Sequence, residues 1–254
     1  MGSRARIKRI KQGKVPEHVA IIPDGNGRWA KSHGYERSRG HKRGSEVAED
    51  LIEFVSNELS IKFMTFYTFS TENWSRPGRE VSFLMTLLKE FLQKKQFKFM
   101  ENNVKLRVIG DLSKLPKKTS GIVQRTVNKT TKNDGLQLVM ALNYGGRQEI
   151  LRATRKIIEG VKEGKTRLSN LSEEMFRSQM FAPDIPDPDL LIRTSGEERI
   201  SNFLLWQMAY TELWFTDTLW PAFAPENLLD AISEYQSRER RYGQVKDKER
   251  NTPK

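Results

Sequence analysis

The stretch His18-Val19-Ala20-Ile21-Ile22-Pro23-Asp24-Gly25-Asn26-Gly27-Arg28-Trp29-Ala30 passes from an unbroken apolar run into a polar, glycine-punctuated turn that opens a helix. An apolar run without polar alternation is expected of a parallel strand covered on both faces. Working outward from it, five more β-rich runs follow the first (His18–Pro23): Phe63–Phe69, Val104–Ile109, Leu136–Asn143, Asp189–Arg193 and Glu212–Thr216. Helical patterns separate them. In Ser45–Leu59 the residues Val47, Leu51, Ile52, Val55 and Leu59 share one stripe, and in Glu80–Met100 so do Val81, Leu84, Met85, Leu88, Phe91 and Leu92. This alternation predicts a single α/β domain: a mostly parallel central sheet of about six strands, flanked by helices on right-handed crossovers. Phe83 and Leu87 fall off the main stripe of Glu80–Met100, which leaves two readings, a deeply buried helix or one that lines an apolar cavity. There is no internal repeat, and the proline-rich stretch 183–188 reads as a loop entering a strand.

The chain has 254 residues, 37% of them hydrophobic and 30% charged, with no cysteine. Disulfides, thiolate metal sites and cysteine nucleophiles are therefore excluded. No apolar run approaches the roughly 18 residues that span a bilayer, and no signal-peptide core opens the chain, so a cytoplasmic protein is expected. The net charge of +12 first suggests a nucleic-acid binder. Yet residues 1–14 hold six basic side chains and no acid, and residues 238–254 hold seven basic and three acidic ones. These ends supply +6 and +4, which leaves +2 for positions 15–237 and no broad basic face for nucleic acid. The expected organisation is a flexible basic tail over 1–15, the folded domain over 16–243 and a flexible tail over 244–254. Solvated tails are one reading of these ends, and attraction to an anionic membrane surface is the other.

In parallel α/β sheets ligands bind beyond the carboxyl ends of the strands. There Gly25 and Gly27 allow the backbone to approach an anion, Arg28 adds a cation, and Asp24 offers a carboxylate to hold Mg²⁺ against phosphate oxygens. Alone, the turn reads equally as a tight turn with Asp24 as helix cap. Arg37, Arg39, His41, Lys42 and Arg43 follow, and His41 is either an ordinary hydrogen-bonded histidine or part of the site. The second strand ends in Ser70-Thr71-Glu72-Asn73-Trp74-Ser75-Arg76, and the fifth in Arg193 through Ser201, where Arg193, Arg199 and Ser201 could converge on phosphate. Glu212, opening the sixth strand, could supply a second metal-directed carboxylate. Two anion sites beside an apolar helix suggest a substrate with diphosphate heads and greasy tails.

At His18–Ala30, Arg37–Gly44, Phe66–Pro77, Asn143–Arg147, Asp189–Pro221 and Arg238–Gly243 the chain resembles the cis-prenyltransferases of the undecaprenyl diphosphate synthase family. The resemblance implies repeated cis condensation of isopentenyl diphosphate with an allylic diphosphate such as farnesyl diphosphate, by a Mg²⁺-dependent cytoplasmic homodimer that touches the membrane to release product. A long product, undecaprenyl diphosphate as glycan lipid-carrier precursor for the cell wall, is the main expectation. A short-chain or branching synthase on the same fold and a non-catalytic partner subunit are the alternatives. Asp24 matches the magnesium-linked catalytic aspartate and Glu212 the second magnesium-associated acid. Gly25, Asn26, Gly27, Arg28 and Trp29, with Arg37 and His41, match the allylic diphosphate site. Ser70, Thr71, Glu72, Trp74 and Arg76 match the mobile substrate loop, and Arg193, Arg199 and Ser201 the isopentenyl diphosphate site. Arg240 and Arg241 match an arginine-rich segment near the active site. Asn73 matches the position described as proton acceptor. A neutral amide is a very weak base, so Asn73 is read here as orienting substrate while a diphosphate oxygen or carboxylate takes the proton. One departure is Pro23, where the family usually has Met; proline fixes φ and would stiffen the strand's last turn. An apolar tunnel between sheet and helices is expected to take the growing chain, with Phe83, Leu87, Leu88, Phe91, Leu136, Leu138 and Met140 as its walls.

Overall fold

The computed structural model describes residues 3–239. Its centre is a six-stranded sheet in which every pairing is parallel, ordered β3-β4-β2-β1-β5-β6. The strands are β1 (His18–Ile22), β2 (Phe63–Ser70), β3 (Lys105–Ile109), β4 (Gln137–Tyr144), β5 (Leu190–Arg193) and β6 (Glu212–Phe215). All six expected strands are present, with ends shifted by no more than a residue or so. The five residues of β1 are all buried, as its unbroken apolar run requires. Helices α2 (Asn26–Ser32) and α3 (Arg37–Glu58) lead from β1 to β2, α4 (Gly78–Glu101) from β2 to β3, and α5 (Lys117–Thr130) from β3 to β4. Helices α6 (Gly146–Lys162) and α7 (Glu173–Ser178) lead on to β5.

Two cores cover the sheet. On one face Ile21, Phe66, Leu138 and Met140 pack with Leu51 and Val55 of α3 and Leu88 and Leu92 of α4. On the other, Ala20, Ile22 and Val139 meet Phe203, Leu204 and Met208. The strand order turns back at β1, whose neighbours are β2 on one side and β5 on the other. The crevice beyond the ends of β1 and β5 is thus the natural ligand site of this topology.

The basic N-terminal stretch is not the tail that its charge suggests. Ser3–Gln12 forms helix α1, whose Ile7 and Ile10 are buried in the core with Ile232 of α8 (Pro225–Ser237). Arg6 pairs with Asp230, and Gln236 Nε2 donates to the Ile10 carbonyl at 2.8 Å. Two isoleucines three residues apart suffice to anchor one helical face among cations, a stripe that charge counting overlooks. The expected C-terminal tail, and Arg240 and Arg241 with it, lie outside the described residues. Among the described residues no helix is long and apolar enough to cross a membrane.

His18 opens β1 and is only 3% exposed. Its Nδ1–H donates to the Pro186 carbonyl and its Nε2 accepts from the Thr65 hydroxyl, both at 2.7 Å. Burial pushes its pKa down from 6.5 to about 4, against the opposing pull of the Pro186 carbonyl, Asp189 and Glu17. The unfolded chain therefore binds a proton that the folded one refuses between those two values. Stability is expected to be flat above pH 7 and to fall by about 1.4 kcal/mol per pH unit per such histidine between pH 6.5 and 4. Urea midpoints at pH 7.5, 6 and 5 measure the slope. His18→Gln should reduce the slope by one histidine's share, and a slope identical to that of the wild type would refute the assignment.

Candidate active site

Asp24 follows the end of β1, pinned through its backbone. Its N–H donates to Thr194 Oγ1 at 2.8 Å, and its carbonyl accepts from Thr194 Oγ1 (2.7 Å) and from the Trp220 N–H (2.9 Å). Pro23 stands just past the last ladder residue, Ile22, where a missing N–H costs the sheet nothing. Gly25 has φ +101°, and a Cβ there would lie 2.9 Å from both Leu219 and Ser195. Only glycine fits that turn.

The Asp24 carboxylate accepts the Gly25 N–H at 2.6 Å and Arg193 Nη2 at 2.9 Å, and Arg28 lies 3.7 Å away. Burial opposes its charge, but the Arg193 and Gly25 hydrogen bonds and the charges of Arg193 and Arg28 prevail and hold its pKa below the usual carboxylate value. It is a carboxylate at neutral pH. Arg193, 3% exposed, also donates to Ser201 Oγ (2.7 Å) and to the Arg199 carbonyl. It thereby links the β1 turn to the loop after β5. Arg28 forks onto the carbonyl and hydroxyl of Ser195 at 2.9 and 2.5 Å and sits 3.2 Å from Glu197.

A second cluster gathers on Glu80, in the first turn of α4. Its Oε1 lies 3.0 Å from Arg37 Nε, 2.9 Å from Arg76 Nη1 and 3.4 Å from His41 Nε2, the last without hydrogen-bond alignment. Three expected anion binders therefore converge on one carboxylate that sequence reading left out. Its signal was present, an acid four residues after Arg76 at a helix start. Burial and the charge of Arg76 push the His41 pKa down to about 4, with Glu80 opposing and Arg37 adding to the shift. His41 is neutral at pH 7.

The turn Thr71–Ser75 is closed by a reciprocal cap between Ser70 and Asn73, whose Oδ1 accepts the Ser70 N–H at 3.1 Å. Glu72 accepts from Thr71 Oγ1 (3.1 Å) and from Asn202 Nδ2 (2.9 Å), tying this turn to the Ser201 loop. Trp74 packs edge-on against Phe69 and donates to Asn143 Oδ1 at 2.8 Å. Trp29 stacks on His33, with ring centroids 4.4 Å apart.

Two expected site residues have other partners in this chain. Glu212 stands level with Leu190 and Val19 at the start of the strands, and its carboxylate pairs with Arg238 at 3.0 Å. Asp24 and Arg193 lie at the opposite edge, three strand residues or about 10 Å further along. Within this chain Glu212 thus stands apart from Asp24 and is paired with Arg238. The Arg199 side chain is 60% exposed and pairs with Glu197, while its backbone carbonyl, not its guanidinium, meets Arg193.

Beside Asp24 an apolar cleft of about 810 Å³, including its open mouth, runs between α3, α4 and the sheet. Pro23, Asn26 and His41 stand among its lining with Phe66, Leu84, Leu87, Leu88, Phe91, Leu138 and Met140. Phe83 and Leu136, two of the expected walls, do not line it. Leu136 shares the face of Leu138 and Met140 but sits beyond the cleft, buried in the core. Among the described residues four buried side-chain polar atoms lack a hydrogen-bond partner, and three belong here: Asn26 Oδ1, His41 Nε2 and Arg193 Nε. Unspent buried donors and acceptors are rare in folded proteins and mark a place built for a polar ligand.

Gly40 and Gly44 of α3 bring that helix against the turn. A Cβ on Gly40 would lie 2.0 Å from the Asn26 carbonyl oxygen, and one on Gly44 2.2 Å from Asn26 Oδ1. Gly40→Ala is expected to displace the turn, cost about 1–3 kcal/mol of stability and lower activity. A melting curve and a rate assay check this together, and normal values in both would show that the contact yields easily.

The family described as "Putative undecaprenyl diphosphate synthase" matches residues 22–243. The chain belongs to this family, the cis-prenyltransferases. It is an enzyme, a prenyltransferase. An isoprenyl transferase of Bacillus thuringiensis is 48% identical over 239 residues, covering 94% of this chain and 92% of the relative. One from Clostridium perfringens is 45% identical, covering 92% of each. Lavandulyl diphosphate synthase from Lavandula x intermedia, solved with dimethylallyl diphosphate, superposes with a TM-score of 0.88 at 35% identity, over 93% of this chain and all of that one. A probable undecaprenyl diphosphate synthase from Campylobacter jejuni gives 0.75 at 35% identity, over 91% of this chain and all of that one. This prenyltransferase thus shares its family's fold across the sheet and the Asp24 edge.

Proposed function

We propose that this enzyme condenses isopentenyl diphosphate repeatedly, in cis geometry, onto an allylic starter such as farnesyl diphosphate. The product is a long polyprenyl diphosphate, undecaprenyl diphosphate by preference, a glycan lipid-carrier precursor. One observation carries the reading: a cationic cradle built on Asp24, Arg28 and Arg193 lies beside an apolar cleft with buried, unspent polar atoms between them. The relative solved with dimethylallyl diphosphate, itself allylic, supports the cradle as a diphosphate site. Homodimerisation, a cytoplasmic location and a peripheral membrane contact complete the proposal.

Arg28, Arg37 and His41 with the 24–29 turn would hold the allylic diphosphate, and Arg193 and Ser201 the isopentenyl diphosphate. As the allylic C–O bond breaks, Arg28, already oriented by Ser195, meets the charge growing on the leaving group, while Arg193, held by Asp24 and Ser201, keeps the isopentenyl diphosphate beside it. The isopentenyl double bond then attacks the allylic carbon, and loss of a proton to a diphosphate oxygen or carboxylate completes the new alkene. Asn73, held in its cap, positions the loop. Asp24 fits Mg²⁺ as a lone ionised carboxylate, the donor set this ion accepts when substrate phosphates supply the rest, and no group of three or more His, Asp or Glu side chains among the described residues offers a fuller cage. Magnesium there would supply Lewis-acid neutralisation of diphosphate charge. At about 0.8 kcal/mol per buried CH₂, each five-carbon unit gains a few kcal/mol by entering the cleft.

The test is chromatography of the products made from labelled isopentenyl diphosphate, farnesyl diphosphate and Mg²⁺. A ladder ending in a long polyprenyl diphosphate is expected. A single short product would favour a short-chain or branching synthase on the same fold, and no labelled product would overturn the proposal.

A further inference from the structure

The last turns of α4 carry features that the condensation site does not use. Phe97 is 71% exposed and Met100, one turn on, 45%. Single exposed apolar residues are ordinary, but this pair has a cationic neighbour. Helix α5 carries Lys117, Lys118, Arg125 and Lys129 and no acid, and Lys132 follows it. Lys129 Nζ donates to Gln96 Oε1 at 3.0 Å, which sets the α5 cations against the Phe97 turn. On α4 itself Lys94 lies 3.9 Å from Glu90, and Lys98 lies 3.0 Å from both Glu49 and Glu53, so the uncompensated charge comes from α5. The adjoining acids are Glu101 and Asp134, the latter hydrogen-bonded by Asn103 at 2.7 Å.

The apolar cleft leads toward this end of the molecule. Its Ile52 and Phe91 also line a second cavity of about 260 Å³, walled further by Phe99, Val104 and the stems of Lys95 and Lys98. Strands start and α4 ends at this edge of the sheet, opposite Asp24.

We propose that Phe97 and Met100, with Arg125, Lys129 and Lys132, form the surface by which this enzyme sits on an anionic bilayer. Exposed aromatic and thioether side chains beside a run of cations are what an interfacial helix presents to lipid headgroups. Each cation near such a surface adds about fivefold to partitioning. The purpose, passing an apolar tail from cleft to lipid, rests on the proposed condensation; the binding itself does not.

The full-length chain is sedimented with vesicles of phosphatidylglycerol and phosphatidylcholine, or of phosphatidylcholine alone, without substrate. Binding to the anionic vesicles is expected, and weak binding to the neutral ones. The double variants Phe97→Ser with Met100→Ser, and Arg125→Glu with Lys129→Glu, should each lower partitioning at least tenfold. Activity on soluble farnesyl diphosphate without vesicles should stay within twofold of wild type. Equal binding of both vesicle types, or variants that bind like wild type, would overturn the proposal. So would loss of binding in Lys8→Glu with Lys11→Glu on α1 alone. A changed oligomeric mass in the Phe97/Met100 variant, with vesicle binding intact, would make this face a protein interface instead. Because no turnover is needed, failure here is separate from failure of the condensation assay.

Discussion

Asp24→Asn is expected to lower turnover at least a hundredfold while the enzyme stays folded. The substitution keeps the shape and the acceptor oxygen toward the Gly25 N–H, and removes the carboxylate charge shared by Arg193 and Arg28, leaving Glu197 beside Arg28 alone. A hundredfold loss corresponds to about 2.7 kcal/mol of barrier, a reasonable share for an ionised group at the reacting centre. The structural cost should be smaller, because Arg193 keeps Ser201 and the Arg199 carbonyl, and Asp24 is a third exposed. The kcat and melting temperature of the purified variant decide. A rate above about a tenth of wild type would remove the carboxylate from the chemistry.

Arg193 and Arg199 should part company, although a sequence reading treats them alike. Arg193→Ala deletes a buried guanidinium that holds both Asp24 and Ser201, and so disturbs both diphosphate sites. We expect kcat/KM to fall about a hundred- to a thousandfold, with KM for isopentenyl diphosphate rising and kcat falling together. Each charge-assisted hydrogen bond is worth about 1.5–3 kcal/mol, and stranding a buried partner costs more. Arg199→Ala removes a side chain that is mostly in solvent and paired with Glu197, and its effect should stay within about tenfold. Steady-state kinetics with each substrate varied in turn gives the answer. A larger loss from Arg199→Ala would mean that the loop after β5 rearranges around substrate and that Arg193 is structural.

The fold was legible because most of the strands are short runs of largely apolar residues with polar breaks at their ends, β3 with its Lys105 and Arg107 being the exception. β1 and β4 show why that signal is clean, since both are buried on both faces and tolerate almost no polar residue. Asp24, Arg28 and Arg193 were legible too, as charged residues placed where a strand stops. What the sequence hid was which side of the sheet a residue reaches. Glu212 was read correctly as opening the sixth strand, but only the parallel register shows that this places it at the edge away from Asp24. Glu80 was hidden because a helix-start glutamate has an ordinary capping explanation, and its partners, the cations Arg37 and Arg76 and the neutral His41, come from two separate segments. Leu136 was misplaced by one strand period, since alternation tells which face a residue takes and not how far a cleft extends along it. Ile7 and Ile10 were obscured by the cations around them.

The central claim is that the cradle at Asp24 and the cleft between α3, α4 and the sheet are one site, the first holding diphosphates and the second the growing chain. Leu87→Trp tests it most directly. Leu87 lines the cleft, is only partly buried and takes no part in holding diphosphate, so the larger ring shortens the cleft without opening the core. The measurement is the product ladder from farnesyl and isopentenyl diphosphates, read beside the melting temperature. The account predicts a folded enzyme whose longest products are shorter by one or more isoprene units, with KM for isopentenyl diphosphate little changed. An unshifted ladder from a folded Leu87→Trp enzyme would contradict it.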